Sequence, residues 1–140
     1  MREMLGRQGM GVLATLGPEE QPHCSLMCYV TDHDGQRLFL LTAADTQKYR
    51  NILEHPRVSF LVDNRGQGGP PDQLQALTVE GTCGPLSEPS ARQAALERLL
   101  GSHPQLKAIA DSGPVQVLAL EIKSWQLLRG LTQASYQELG

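Results

Sequence analysis

The feature that most limits the fold of this sequence is a series of short apolar segments separated by turns. Apolar and β-branched residues that alternate or cluster over a few positions, bounded by Gly, Pro, Asn or Asp, are typical of strands. Six such segments cover residues 11–15, 23–31, 37–42, 57–62, 74–85 and 115–128. The pattern predicts a mainly β protein in which hairpins and short loops join the strands.

Two helical segments interrupt the strand pattern. Residues 45–55 form a predicted helix that ends at Pro56, and residues 87–110 form a second one that His103-Pro104 breaks into two pieces. No strand–helix–strand unit repeats, which argues against a parallel doubly wound sheet. We therefore expect a six-stranded antiparallel barrel with two inserted helical segments, folded as a single domain over residues 1–140.

Composition excludes several classes of protein. A net charge of −3 leaves no broad basic field, so nucleic acid is not an expected partner. No apolar run reaches the length of a membrane span, and the first residues lack the apolar core of a signal peptide. We expect a cytoplasmic protein that does not bind membranes.

Motifs for hydrolases, nucleotide-binding proteins and zinc enzymes are absent from the sequence. It contains no G-x-x-x-x-G-K-S/T, G-x-G-x-x-G or G-x-S-x-G. The three cysteines, Cys24, Cys28 and Cys83, are an odd number without a secretory signal, and the four histidines are scattered. We predict no metal site and no disulfide framework, and we interpret the cysteines as packing residues.

The turn at residues 42–48 has the composition of a phosphate site. Thr42 and Thr46 supply two hydroxyls, and Lys48 supplies an ammonium at the start of a predicted helix. Hydroxyls, free backbone N–H groups and the helix dipole all favour an anion. The alternative is an ordinary surface helix capped by Thr46 or Asp45.

The second strand has two different faces. Alternation separates an apolar face, which we assign to the core, from a mixed face, which is either a wall toward a ligand or a partly solvated surface. The predicted core face holds Cys24, Leu26, Cys28 and Val30, and the mixed face holds His23, Ser25, Met27, Tyr29 and Thr31.

These segments, in this order, resemble the FMN-binding split-barrel family related to pyridoxamine 5'-phosphate oxidase, and its short members of unassigned function in particular. The matching pieces between residues 10 and 125 are GVLATL with a Gly-Pro turn, QPHCSLMCYVTD-x-D-G, LFLLT-x-x-x-T-x-K-x-x-N-I, HPRVSFLVDNR, TVEGTCGPLSE and ALEIKSWQL. The resemblance implies an antiparallel split barrel and a homodimer with FMN at the subunit interface.

The resemblance also implies which residues bind the cofactor. The flavin phosphate would be held by Thr42, Thr46, Gln47 and Lys48, where Gln47 stands in place of a frequent Arg. Either Arg50 compensates for that charge or it faces solvent. Asn51 would bind the ribityl chain or cap local backbone, and Trp125 would come from the partner subunit or fill the core. The second strand would place Ser25, Leu26, Met27 and Cys28 near the flavin ring.

Two departures from the oxidase count against pyridoxamine 5'-phosphate oxidase activity itself. Cys24 and Tyr29 stand where the oxidase has basic residues, and its C-terminal Arg and His signature is missing. No catalytic residue is identified. The resemblance implies an FMN-dependent oxidoreductase or electron-transfer protein with an unknown redox partner. The alternatives are a haem-binding protein, with His23 or Cys24 as axial ligand, and a non-catalytic binding module.

Overall fold

Most of the chain lies in antiparallel strands. The computed structural model describes residues 1–130 and 132–139. The described strands are β1 (Met10–Leu16), β2 (Pro22–Cys28), β3 (Val30–Thr31), β4 (Arg37–Ala43), β5 (Arg57–Asp63), β6 (Gln75–Pro85), β7 (Val115–Arg129) and β8 (Gln133–Glu138). The described α-helices are α1 (Arg2–Arg7), α2 (Gln47–Glu54), α3 (Pro89–Ser102) and α4 (Lys107–Asp111).

The sheet closes on itself through the chain segment that contains β2 and β3. The strand order is β2-β1-β5-β6-β7-β4-β3, and β8 pairs with the C-terminal part of β7, residues 124–129. Because β2 and β3 are consecutive in the chain but lie at opposite ends of this order, they join the two ends of the sheet. The β3–β4 pairing covers only Val30 and Thr31, so the barrel stays split between β2 and the rest of β4.

The barrel interior is apolar. Tyr29 and Phe60 meet edge to face at its centre, with ring centroids 5.4 Å apart, and buried aliphatic residues from β1, β4, β5, β6 and β7 surround them. Gly81 lies at an irregularity in the β6–β7 pairing, where a Cβ atom would come within 1.9 Å of the Glu121 carbonyl oxygen. Glycine is therefore required at that close approach.

A second apolar layer covers the outside of β4 and β7. Phe39, Leu41 and Val117 pack there against Ala95 and Leu99 of α3. Since β4 is buried on both faces, its sequence reads as a nearly continuous apolar run rather than an alternating one. Among the described residues, no helix is both long and apolar enough to cross a membrane.

The predicted fold class is confirmed, and the predicted count of six strands is wrong. The segment 23–31 is divided at Tyr29, whose N–H donates to the Gly9 carbonyl and whose carbonyl accepts from His103 Nε2. These contacts take the backbone groups that a continuous ladder would use. Strand β8 was missed because its residues are all exposed and carry no apolar face.

Candidate functional site

The turn between β4 and α2 is organised by two threonine hydroxyls. Thr46 is the N-cap of α2, and its Oγ1 accepts a hydrogen bond from the Tyr49 N–H at 3.3 Å. Thr42 Oγ1 lies 3.0 Å from Thr46 Oγ1, and both hydroxyls lie within 3.2 Å of the Ala43 carbonyl. Of the two caps considered, Thr46 and Asp45, the structure shows Thr46. The N–H groups of Gln47 and Lys48, in the first turn, have no intrahelical acceptor.

Two cations flank this turn. Lys48 is half-buried and forms no ion pair with any described residue. Arg50 donates from Nη1 to the Asp45 carbonyl and from Nη2 to Gln47 Oε1, both at 3.1 Å. The Asp45 side chain is exposed and pairs with neither cation. The start of α2 thus presents hydroxyls, N–H groups and two positive charges, a combination suited to an anion.

A buried hydrogen-bond relay fixes α2 to β1. Asn51 is only 3% exposed; its Nδ2 donates to Thr15 Oγ1 at 3.1 Å, and its Oδ1 accepts from Gln47 Nε2 at 2.7 Å. Gln47 in turn accepts from Arg50, so the relay runs from the barrel wall to an exposed guanidinium. Gly17 lies against the Asn51 amide, where a Cβ would come within 3.2 Å of Oδ1.

This relay changes the roles expected for two predicted site residues. The side chains of Gln47 and Asn51 bond to each other and to protein groups on both sides. They therefore position Arg50 and α2. Sequence reasoning missed Thr15 as a member of the site, because it lies 36 positions from Asn51 and carries no local signal.

The split of the barrel brings β2 and the end of β4 to one opening. Strand β3, which follows β2 in the chain, pairs with β4 only briefly, with Val30 opposite Phe39. Beyond that pairing, the edges of β2 and β4 that face each other have no strand partner among the described residues. Continuing the β3–β4 register places the four predicted ring-contacting residues of β2 across the opening from residues 41–44. Ser25 is half-buried, Leu26 is 69% exposed, and Met27 and Cys28 are buried.

The predicted assignment of the β2 faces is confirmed for Cys28 and Val30, which are buried against α3, and is wrong for residues 24, 26, 27 and 29. Met27 and Tyr29, which we expected on a mixed outer wall, lie in the barrel core, and the Tyr29 hydroxyl donates to the Leu5 carbonyl at 2.7 Å. Cys24 and Leu26, which we expected in the core, are exposed. Alternation shows that two faces differ, but it does not show which one the rest of the chain covers.

Trp125 lies away from the α2 turn of its own chain. It pairs with Val79 and packs, half-buried, against the interior cluster. Thr42 is opposite Gln116, so Trp125 lies roughly 30 Å further along β7 at the usual rise per residue. Within one chain the structure therefore does not bring Trp125 to the predicted cofactor residues of the α2 turn.

The titratable groups include no evident acid–base pair. His23 is exposed, with Nδ1 3.5 Å from Ser25 Oγ, and Cys24 is exposed beside it. Burial raises the pKa of Cys83 to about 12, which keeps that thiol protonated at neutral pH. Among residues 1–130 and 132–139, no three His, Cys, Asp or Glu side chains lie close enough together to hold a metal ion.

The fold is that of an antiparallel split barrel, and the turn before α2 is suited to bind an anion. The sequence model of the pyridoxamine 5'-phosphate oxidase family matches residues 1–129, which is most of the chain. The chain therefore belongs to the pyridoxamine 5'-phosphate oxidase family. No curated protein sequence matches it significantly.

Solved structures of low sequence identity share the fold. A putative pyridoxamine 5'-phosphate oxidase from Listeria innocua has a TM-score of 0.70 at 21% identity, over 90% of this chain and 93% of that one. The haem storage protein HutZ from Vibrio cholerae has a TM-score of 0.74 at 14% identity, over 91% and 89%. A haem-binding protein from Mycobacterium smegmatis has a TM-score of 0.84 at 20% identity; the match covers 98% of this chain but only 55% of that one.

Proposed function

We propose that this protein binds FMN, with the flavin phosphate at the start of α2, and acts as a flavin-dependent oxidoreductase or electron-transfer protein. The observation that carries the proposal is the unpaired, half-buried Lys48 beside the hydroxyls of Thr42 and Thr46 and the first-turn N–H groups of α2. A phosphate monoester has acceptor oxygens for the ammonium and the N–H groups, and for a threonine hydroxyl that turns from the Ala43 carbonyl to the ligand. Membership of the pyridoxamine 5'-phosphate oxidase family supports a phosphorylated ligand.

Arg50 is the second cation of the proposed phosphate site. The Asp45 carbonyl and Gln47 Oε1 hold its guanidinium next to the turn, and the buried Asn51 anchors Gln47. Gln47 thus acts as a positioning residue rather than as a direct phosphate ligand. Because protein hydrogen bonds hold the Arg50 side chain, little side-chain entropy is lost when the phosphate binds.

The flavin ring is proposed to lie in the split, along Ser25, Leu26, Met27 and Cys28. The free edge of β2 offers backbone N–H and C=O groups there, which are proposed to form hydrogen bonds with the polar edge of the ring. A bound flavin would supply the hydride or electron transfer, and the chain would supply orientation and electrostatics.

A homodimer is proposed because the outer face of β2, β1 and β5 is apolar. Val12 is opposite both Leu26 and Leu61, which are 69% and 36% exposed, and Met10 on the same face is 46% exposed. Cross-strand neighbours point to the same side of a sheet, so these residues form one strip. A contiguous exposed apolar strip is typical of an interface. A partner copy could also bring its Trp125 to the flavin.

The phosphate site is tested by titrating the protein with FMN and with riboflavin, which lacks the phosphate. Lys48→Ala is expected to weaken FMN binding by roughly 10- to 100-fold, the scale of a charge-assisted hydrogen bond, and to leave riboflavin binding nearly unchanged. Lys107→Ala, an exposed lysine on α4, is the matched control. Equal FMN affinity in Lys48→Ala and the control would place the phosphate elsewhere.

Haem is the second candidate ligand. His23 and Cys24 are exposed next to each other on the edge strand β2, so an axial ligand would be accessible. Two of the structural neighbours are haem-binding or haem storage proteins. An absorption spectrum of the purified protein with each cofactor separates the two: flavin bands support FMN, and a Soret band lost in His23→Ala supports haem. A protein that binds neither cofactor would be a binding module without a chromophore.

A further inference from the structure

A polar cavity lies at the end of the barrel opposite α2. Helix α2 comes just before the first residue of β5, whereas this cavity is lined by Asn64, just after Asp63, the last residue of β5. Its volume is about 170 Å³, and α1, the loop after β5 and the ends of β6 and β7 enclose it. The cavity is called here the α1 pocket, and the polar residues that line it are Glu3, Arg7, Gln8, Asn64, Gln67, Gln75 and Arg129.

Two of these residues continue the inner face of the barrel at its end, where Gln75 is half-buried and Arg129 is exposed. Gln75 is paired with Arg129, and the next pair on the same face is Leu77 with Leu127, both of which are buried in the interior cluster. Side chains two positions apart on a strand share a face. The inner face of β6 and β7 therefore changes from apolar to polar and cationic where it reaches the α1 pocket.

One wall of the α1 pocket is held rigidly. Asn64 Oδ1 accepts from the Gln75 N–H at 2.8 Å, and Asn64 Nδ2 donates to the Gln73 carbonyl at 3.1 Å. The Asn64 N–H donates to the Gln75 carbonyl at 3.2 Å. Asn64 thus fixes the loop, while the side chains of Gln67 and Gln75 border the cavity.

Gln8 brings an unmet hydrogen-bonding requirement to the same place. Its Nε2 is shielded from solvent, yet it has no hydrogen-bond partner in the part of the chain that the structure describes. No other buried side-chain nitrogen or oxygen among the described residues is in this state. A buried donor without an acceptor lowers stability, so such a group requires an explanation.

The charges around the α1 pocket favour an anion. Arg7 and Arg129 both line it, and Glu3, the one carboxylate in the described lining, pairs with Arg7. Arg129 forms no ion pair with any described residue. We propose that the α1 pocket binds a small oxyanion, the carboxylate or phosphate group of a small molecule, through Arg129 and the Gln8 amide. This site is separate from the α2 turn and does not depend on flavin binding.

Calorimetric titration of the full chain with succinate and with inorganic phosphate tests this site. Arg129→Gln is expected to weaken binding at least about tenfold, because it removes a charge-assisted hydrogen bond. Arg57→Gln, an exposed arginine at the opposite end of β5, is the matched control and should bind as the unmodified chain does. The tighter-binding anion identifies the group as a carboxylate or a phosphate.

Gln8→Met gives a second readout, which a purely structural glutamine would not give. Methionine has nearly the same shape but no unmet donor, so the ligand-free melting temperature should rise by about 1–3 °C while anion affinity falls several-fold. Lys48→Ala separates the two anion sites, because it should weaken only phosphate bound at the α2 turn and should keep the binding that Arg129→Gln weakens.

Three results would overturn the proposal. The first is the absence of saturable binding of either anion up to about 10 mM. The second is equal binding in Arg129→Gln and Arg57→Gln. The third is loss, in Lys48→Ala, of the same binding that Arg129→Gln weakens, which would move that anion to the α2 turn.

Discussion

The two ends of the barrel differ in whether a buried side-chain amide has hydrogen-bond partners. At the α2 end, the buried Asn51 has partners for both its amide nitrogen and its carbonyl oxygen, in Thr15 and Gln47. At the α1 end, the buried Gln8 Nε2 has none among the described residues. A satisfied network in a low-dielectric interior makes a structure rigid, whereas an unsatisfied group costs stability.

This difference shows how the same residue type serves two purposes. Glutamine and asparagine at the α2 end are part of the scaffold, and they hold Arg50 in position for a ligand. Glutamine at the α1 end has a requirement that the chain itself does not meet. An amide near a candidate site therefore has to be judged by its partners and not by its type.

The largest expected effect on the free energy of unfolding concerns Cys83, in the apolar interior between the two ends. Burial raises the pKa of Cys83 from 9.0 to about 12, because the thiolate is poorly solvated there. As pH rises, the Cys83 thiol loses its proton in the unfolded chain before it does so in the folded chain. The contribution of the protonated thiol to stability is therefore fully present below pH 9. Between pH 9 and 12 the free energy of unfolding should fall by up to about 1.4 kcal/mol per pH unit.

Denaturant unfolding of the unmodified chain and of Cys83→Ala across this pH range measures that effect. Burial also raises the pKa of Tyr29 above its ordinary value of 10.0, so the variant should keep a decline that begins about one pH unit later. Identical pH profiles would show that water reaches Cys83 and that the interior is not dry.

The next largest effect is expected at the α2 end. Asn51→Leu removes the centre of the relay, so that Thr15 Oγ1 and Gln47 Nε2 lose their partner. We expect a loss of about 2–3 kcal/mol in the free energy of unfolding, measured in denaturant. Gln93→Leu, at an exposed position of α3, is the control and should stay within about 0.5 kcal/mol. Similar losses in both variants would mean that the relay does not hold α2 to β1.

A smaller effect is expected where α1 is attached to the barrel. The Tyr29 hydroxyl donates to the buried Leu5 carbonyl, so Tyr29→Phe should cost about 1–1.5 kcal/mol. Tyr136→Phe, whose hydroxyl bonds to Glu138 at the exposed surface, serves as the comparison. An unchanged melting temperature in Tyr29→Phe would show that apolar packing alone holds α1 over its pocket.

The smallest effect is expected for the ion pair at the rim of the α1 pocket. Glu3 and Arg7 side chains are 75% and 62% exposed, so Glu3→Gln should change stability by less than about 0.5 kcal/mol. The same variant frees Arg7 and should tighten anion binding in the calorimetric titration about two- to threefold. Weaker anion binding in Glu3→Gln would contradict the proposed role of charge in this pocket.

Local patterns were sufficient for the fold class and for the α2 turn. Turns between short apolar segments predicted the antiparallel barrel, and the residues from Thr42 to Lys48 identified a capped helix start with an ammonium beside it. Both signals depend on neighbours within a few positions, where backbone geometry brings the groups together. Strand β8 lacked such a signal, because its exposed residues are in a sheet only by pairing with β7.

The sequence by itself determined that this chain is an antiparallel barrel and where its helix α2 begins, because turn chemistry, periodicity and capping are local. Only the tertiary structure decided which face of β2 is buried, that Asn51 bonds to Thr15, and that Gln8 meets Arg129 at one cavity. These outcomes join residues up to 121 positions apart. They depend on how the sheet closes and on which surfaces other elements cover, and no local pattern encodes either one.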